Sequence, residues 1–171
     1  MADIVGVMPI HRLNHAVLYV REVQRSVAFY RDVLGFRVID EASGSTGAAF
    51  LRASESTNDH DLGLFETGGN PPPAGSSGLY HLAWEVDTLD DLDETAAKLT
   101  AAGALVGASD HGTTKSLYGK DPDGIEFEIV WLVPAAALDD EARTAARRPL
   151  DLAREKSRYG ATTAGGVGIS R

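Results

Sequence analysis

The chain has 171 residues, 43% of them apolar and 24% charged, which suits one compact domain or two small modules sharing a core and excludes disordered or fibrous classes. A net charge of −9 without any basic stripe argues against nucleic acid or an anionic membrane surface as a partner. With no cysteine there are no disulfides, thiolate metal sites or thiol nucleophiles, so a bound metal has to rest on imidazole, carboxylate or water.

The opening stretch MADIVGVMPIHRLNH lacks a basic start followed by a long apolar run, and no apolar stretch approaches ~18 residues, so neither a signal peptide nor a membrane span is expected and the protein reads as cytoplasmic. The first element, LNHAVLYV at 13–20, is an apolar-rich strand with histidine third. VQRSVAFYRDVL follows as a helix, with Val23, Val27, Tyr30 and Leu34 at spacings of three and four and Gly35 as its stop. FRVID, GAAFLRA and DLGLFET are the next strand candidates. The last of these is entered through Asn58, Asp59, His60 and Asp61, a polar cluster running straight into an apolar strand.

The stretch 67–78, TGGNPPPAGSSG, has linker composition, and then the pattern begins again. LYHLAWEV at 79–86 repeats the first strand, again with histidine third; TLDDLDETAAKLTAAG repeats the helix, with Leu89, Leu92, Ala96 and Leu99 on one stripe and Gly103 as its end. ALVGA, KSLYGKD and IEFEIVWLV complete the second set of strands. The expectation is an α+β fold: a single domain over 1–134, built of two βαβββ modules (about 11–66 and 79–133) that form a curled mixed sheet around a cleft lined by both halves. Beyond it, 135–171 reads as a helical segment interrupted by Pro149 and then a flexible, Gly-rich tail.

His15 and His81 hold the same position in the first strand of each module, so pseudo-two-fold packing can point both imidazoles into the cleft. Asp121-Pro122-Asp123-Gly124 has the composition of a tight turn. The strand after it alternates, with Ile125, Phe127 and Ile129 on one face and Glu126, Glu128 and Val130 on the other. Carboxylates among Phe, Ile, Val and Trp are costly to bury unless paired or bound to a cation; on an edge strand both would face water.

The doubled module, its matched histidines, and DPDG followed four residues later by Glu128 resemble the vicinal oxygen chelate superfamily, which includes glyoxalases, resistance proteins that bind drugs, and extradiol catechol dioxygenases. The resemblance covers residues ~11 to 133. It implies His15, His81 and Glu128 as metal ligands. Where glyoxalases supply a fourth carboxylate ligand this chain places Gly63, or, if the match slips, Glu66; Glu126 is the other acid near the implied metal. Two histidines and a carboxylate with open positions suit Fe(II) and O2, with Mn(II) as the alternative cation.

The single-domain members related to catechol 2,3-dioxygenase are the nearest pattern. Their His-Asp pair before the last strand of the first module matches His60-Asp61, their Tyr ten residues before the metal Glu matches Tyr118, and their His-Gly matches His111-Gly112, though with a spacing to Tyr118 two residues shorter than in the form compared. That leaves only His11 of the five histidines unassigned. The implied activity is extradiol cleavage of a catechol by O2 to a 2-hydroxymuconic semialdehyde type product, with His60, Tyr118 and His111 as catalytic residues, a small aromatic substrate as partner, and a homodimer as an arrangement that could complete a cleft or shield an edge strand. The rival readings are a metal-dependent isomerase, lyase or epimerase of the glyoxalase type, with Glu66 or Glu126 near the metal, and a drug-binding protein.

Overall fold

A computed structural model describes residues 12–41, 47–73 and 75–166. The first module runs β1 (Ala16–Val20), α1 (Val23–Asp32), β2 (Arg37–Glu41), β3 (Ala48–Arg52) and β4 (Leu62–Glu66). The second runs β5 (His81–Glu85), α2 (Leu89–Ala101), β6 (Leu105–Asp110), β7 (Thr114–Lys120) and β8 (Glu126–Leu132). Each module makes its own mixed sheet with the same internal order, β1-β4-β3-β2 and β5-β8-β7-β6, and in each the first and last strands pair in parallel. The curled sheet thus consists of two open sheets, with β1 and β5 as terminal strands.

The strand period of two sorts the faces. On β1, Leu18 and Val20 are buried against α1 while Val17 and Tyr19 are exposed; on β8, Phe127, Ile129 and Trp131 are buried and Glu126, Glu128 and Val130 lie on the opposite face. Helix α1 buries Val23, Val27 and Tyr30, a three-and-four spacing that covers this inner face of the first sheet. Its N-terminus lacks a local cap, and the Glu66 carboxylate at the end of β4 accepts the Val23 N–H instead (3.0 Å). Helix α2 is capped locally by a reciprocal Thr88–Asp91 box.

The two apolar clusters merge at Phe29, Leu34 and Trp84, each of which packs against both. Phe36 meets Trp84 edge-on at 5.1 Å, and Phe29 lies 5.9 Å from Phe127. Polar contacts lock the same junction. The Asp121 carboxylate accepts N–H groups from Asp123 and Ile125 (2.9 Å each) and the Tyr30 hydroxyl (3.3 Å), while Asp123 accepts from Arg25 and from the Arg21 N–H. The Asp-Pro-Asp-Gly turn, closed by Gly124 N–H donating to Asp121 O with Gly124 at φ 83°, therefore clamps the start of β8 to α1.

After β8 the chain forms a 3₁₀ turn (Ala135–Ala137), α3 (Asp140–Thr144), β9 (Arg148–Pro149) and α4 (Leu152–Tyr159). The expected helical tail is interrupted at Pro149 by a short strand that pairs with β6 and becomes the outer strand of the second sheet. Lys115, fully buried on the helix side of β7, joins Asp110 (2.5 Å) to Glu155 of α4 (3.0 Å), and Arg148 adds a second contact to Asp110 (2.7 Å). The Gly-rich end expected to be flexible lies outside the described residues from 167 onward, as does His11. Among the described residues no helix is long and apolar enough to cross a membrane.

Candidate metal centre

Glu128 and His81 meet on the open face of the second sheet. The parallel register His81↔Glu126 and Ala83↔Glu128 puts residues 81, 83, 126 and 128 on that face, and His81 Nε2 lies 3.1 Å from Glu128 Oε2. Their side chains are 24% and 14% exposed, so the pair is largely withdrawn from water. The antiparallel register Tyr118↔Glu128 places the tyrosine beside the carboxylate, with its hydroxyl 3.5 Å from Glu128 Oε1, and His111 Nε2 lies 2.9 Å from the same hydroxyl. His111, Tyr118, Glu128 and His81 form one continuous polar chain. Burial, reinforced by the negative charge of Glu128, raises the Tyr118 phenol above its ordinary value, so it stays protonated at neutral pH.

Glu126, two residues earlier on the same face, takes a hydrogen bond from the Tyr80 hydroxyl, which raises that phenol. Its partner is therefore Tyr80, while Glu128 is the acid at His81. Glu66 is occupied elsewhere, on the N-terminus of α1. Gly63 does lie on the open face, opposite Val17, and an added Cβ there would come 3.3 Å from Val17 Cγ2 and 3.5 Å from Phe50 Cε1. The position matched to a fourth ligand offers no donor.

His15 and His60 form a second cluster in the first module. His15, exposed just before β1, stacks at a tilt on His60 with ring centres 4.5 Å apart. His60 Nδ1 lies 3.2 Å from Asp59, and its ring meets the edge of Phe50 at 5.1 Å. What holds the loop that carries His60 is Asp61, which the sequence offered as a member of the polar cluster and as the partner in a His-Asp pair, without its anchoring role. Buried at the start of β4, Asp61 accepts from Ala53 N–H (2.9 Å), Ser56 Oγ (2.9 Å) and Asn58 Nδ2 (2.6 Å), and Asn58 also donates to Asn14 O (3.0 Å). The polar cluster enters a buried strand because Asp61 is the knot of the loop. The Ser-x-Asn-x-x-Asp spacing was the available signal.

The expected triad of His15, His81 and Glu128 is not gathered into one group: among the described residues no three His, Asp or Glu side chains converge on a common metal position. The structure joins His81 to Glu128 and His15 to His60. The His81–Glu128 half does fit a divalent cation, since ligand atoms about 2.1 Å from one cation and at right angles lie about 3 Å apart. His81 Nδ1 is buried without a hydrogen-bond partner, whereas Nε2 carries its proton toward the Glu128 carboxylate; a cation seated between them would take the place of that proton.

A cavity of about 380 Å³ adjoins this half, lined by Tyr80, His81, Val106, Tyr118, Glu126 and Arg147 among others. Its size falls within the roughly 300–1,000 Å³ of small-molecule sites.

Comparison with known proteins places these features in context. Residues 12–129 match the family model described as the Glyoxalase/Bleomycin resistance protein/Dioxygenase superfamily. The chain is 31% identical over 122 residues to the catechol-2,3-dioxygenase of Bacillus subtilis (strain 168), a match covering 68% of this chain and 40% of that protein. It is 28% identical over 125 residues to a probable lactoylglutathione lyase of Synechocystis, covering 69% of this chain and 93% of that one. The chain spans less than half the length of the first ring-cleaving relatives it matches. A solved structure of a glyoxalase/dioxygenase from Nostoc punctiforme superposes with a TM-score of 0.61 at 21% identity, covering 76% of this chain and 97% of that one, a likeness of fold.

Proposed function

The chain belongs to the Glyoxalase/Bleomycin resistance protein/Dioxygenase superfamily, and from that premise we propose that it is a non-haem Fe(II)-dependent extradiol dioxygenase that opens a catechol ring with O2. The observation that carries the reading is the polar chain from His111 through Tyr118 to Glu128 and His81 on one open sheet face. Ring cleavage needs a carboxylate–imidazole seat for the metal with hydrogen-bond donors alongside it, and this face supplies both.

His81 Nε2 and Glu128 would hold the cation together with His15. Bound iron supplies the redox chemistry between the diol and O2; both oxygen atoms enter the product, a 2-hydroxymuconic semialdehyde type compound. Tyr118, kept protonated by burial, donates a hydrogen bond to a substrate oxygen when His111 Nε2 carries a proton and donates to Tyr118 in turn. His60 has Nδ1 directed at Asp59, which leaves Nε2 to take the substrate's proton and return it as the ring opens. Phe50, edge-on to His60, shields one side of that imidazole from water.

The reading includes a homodimer. His15 lies in the first module, apart from the His81–Glu128 pair, and the terminal strands β1 and β5 are flanked by exposed apolar side chains, Val17 at 51%, Tyr19 at 76% and Tyr80 at 72%. A second copy laying its β1 beside β5 would bring its His15 to the pair and cover those side chains.

A metal-dependent isomerase or lyase is the second reading, favoured by the 93% coverage of the Synechocystis protein. One experiment separates them: anaerobic loading with Fe(II), then oxygen uptake and visible absorbance with a panel of catechols. A yellow, metal-dependent product that falls sharply in His60→Ala and Glu128→Ala is expected; metal binding lost in Glu128→Ala without oxygen uptake moves the assignment to the second reading. Mixing His15→Ala with Glu128→Ala chains should restore activity that neither has alone, and no recovery in a verified mixed dimer rules out the shared site.

A further inference from the structure

The cations of the C-terminal segment divide into two kinds. Arg148, Arg154, Lys156 and Arg158 are each ion-paired to carboxylates of this chain. Arg143, exposed on α3, and Arg147 make no ion pair among the described residues; of the two it is Arg147 whose Nε donates to Ser109 Oγ (3.1 Å) and whose side chain lines the cavity beside His81 and Tyr118. The cause is strand geometry. β9 pairs with β6 through Asp110↔Arg148, and Arg148 turns to the buried Asp110; Arg147, the residue just before β9, takes the opposite side, where it meets Ser109 and the cavity.

The Arg147 bond to Ser109 engages Nε alone. The two terminal nitrogens of the guanidinium make no hydrogen bond among the described residues, and a guanidinium fork matches a carboxylate in a planar, bidentate arrangement. The cavity holds one opposing charge, Glu126, which already accepts the Tyr80 hydroxyl. A divalent cation on the neighbouring Glu128 would leave the balance of charge positive, and an anionic substituent would then be drawn in. Val106, Tyr80 and Tyr118 offer apolar surface for an aromatic body between the two ends.

We propose that Arg147 is a specificity residue that binds a carboxylate of the substrate, so that the preferred substrates are dihydroxy-aromatic acids. The substrate class rests on the ring-cleavage reading above, whereas the anion subsite rests on Arg147 alone. A tail beyond the two repeated modules thereby supplies one wall of the pocket.

The test is anaerobic calorimetry on the metal-loaded protein with 3,4-dihydroxybenzoate, catechol and benzoate, in wild type, Arg147→Gln and Arg147→Lys, with oxygen-uptake kinetics alongside. Wild type should prefer the dihydroxy acid over catechol by about tenfold or more, and Arg147→Gln should remove that preference, mostly through KM, as expected for a charge-assisted bidentate contact. Arg147→Lys should keep part of it, since charge survives and the fork does not. Catechol bound and cleaved as well as the acid, or a preference that persists in Arg147→Gln at an unchanged unfolding midpoint, overturns the role of Arg147 and leaves ring cleavage standing. Arg147-dependent benzoate binding with no catechol binding or cleavage overturns the dihydroxy-acid class and the ring-cleavage reading while keeping the anion subsite. Binding of none of the three overturns both proposals.

Discussion

The two modules share strand order and helix placement yet carry different chemistry on the same face. In the first, β1, β3 and β4 present Val17, Tyr19, Phe50, Gly63 and Phe65; in the second, β5, β7 and β8 present His81, Tyr118, Glu126 and Glu128. Their buried faces are interchangeable in kind, leucines and aromatics against a helix. The repeat thus keeps the apolar stripes that seat each helix, while the open face differs throughout and the buried side differs where Lys115 enters the second module. The modules also secure their loops differently: the first relies on one carboxylate, Asp61, taking neutral donors, and the second on the buried ion network of Lys115, Asp110 and Glu155.

That contrast can be broken from either side. Lys115→Ala leaves Asp110 and Glu155 buried without their cation and should cost about 3–5 kcal/mol, read from urea unfolding. A loss under about 1 kcal/mol would mean that Arg148 carries the network by itself. Acid should act on the same place. Burial on its own would raise Asp110, but hydrogen bonds from Lys115, the Gly112 N–H and Arg148 outweigh it and hold the carboxyl below its ordinary value of 3.8. Its stabilisation is then fully present above the unfolded value and is lost as pH falls through the lower folded one. Unfolding midpoints measured from neutral pH downward should fall less steeply at the acid end in Asp110→Asn than in wild type; parallel curves would remove Asp110 from the account.

In the first module, Asp61→Ala should cost about 2–3 kcal/mol, because the Ala53 N–H and the Asn58 amide lose an acceptor at a partly buried site. It should also free the His60 loop, seen as faster amide exchange across 53–61 with the second module unchanged. The smallest effect belongs to Gly63→Ala. The new methyl meets Val17 at 3.3 Å, and Val17 is half exposed and can yield, so thermal unfolding should shift by no more than about 1 kcal/mol. A larger loss would show that the outer face of the first sheet is packed more rigidly than the second.

Much of this architecture was legible in the chain. The period-two alternation of β8 already separated Glu126 and Glu128 from Phe127 and Ile129, the helix stripes named Val27, Tyr30, Leu92 and Leu99, and the repeated histidine marked β1 and β5 as equivalent strands of the two modules. These follow from local periodicity, which the backbone imposes on any solvated element. Other features depended on residues distant in sequence. Glu66 looked like a ligand candidate and is the cap of α1; Glu126, read as the other acid near the implied metal, lies with Tyr80; Arg147 carried no signal until the pairing of β9 with β6 set the chain just before it beside the cavity. Nor could spacing say that His15 would stack on His60, apart from His81. A sequence sets which side chains share a face, because that depends on the geometry of its own strand. Which faces meet, and which polar group satisfies which, is decided by the packing of whole elements, where each buried donor and charge takes the best partner within reach.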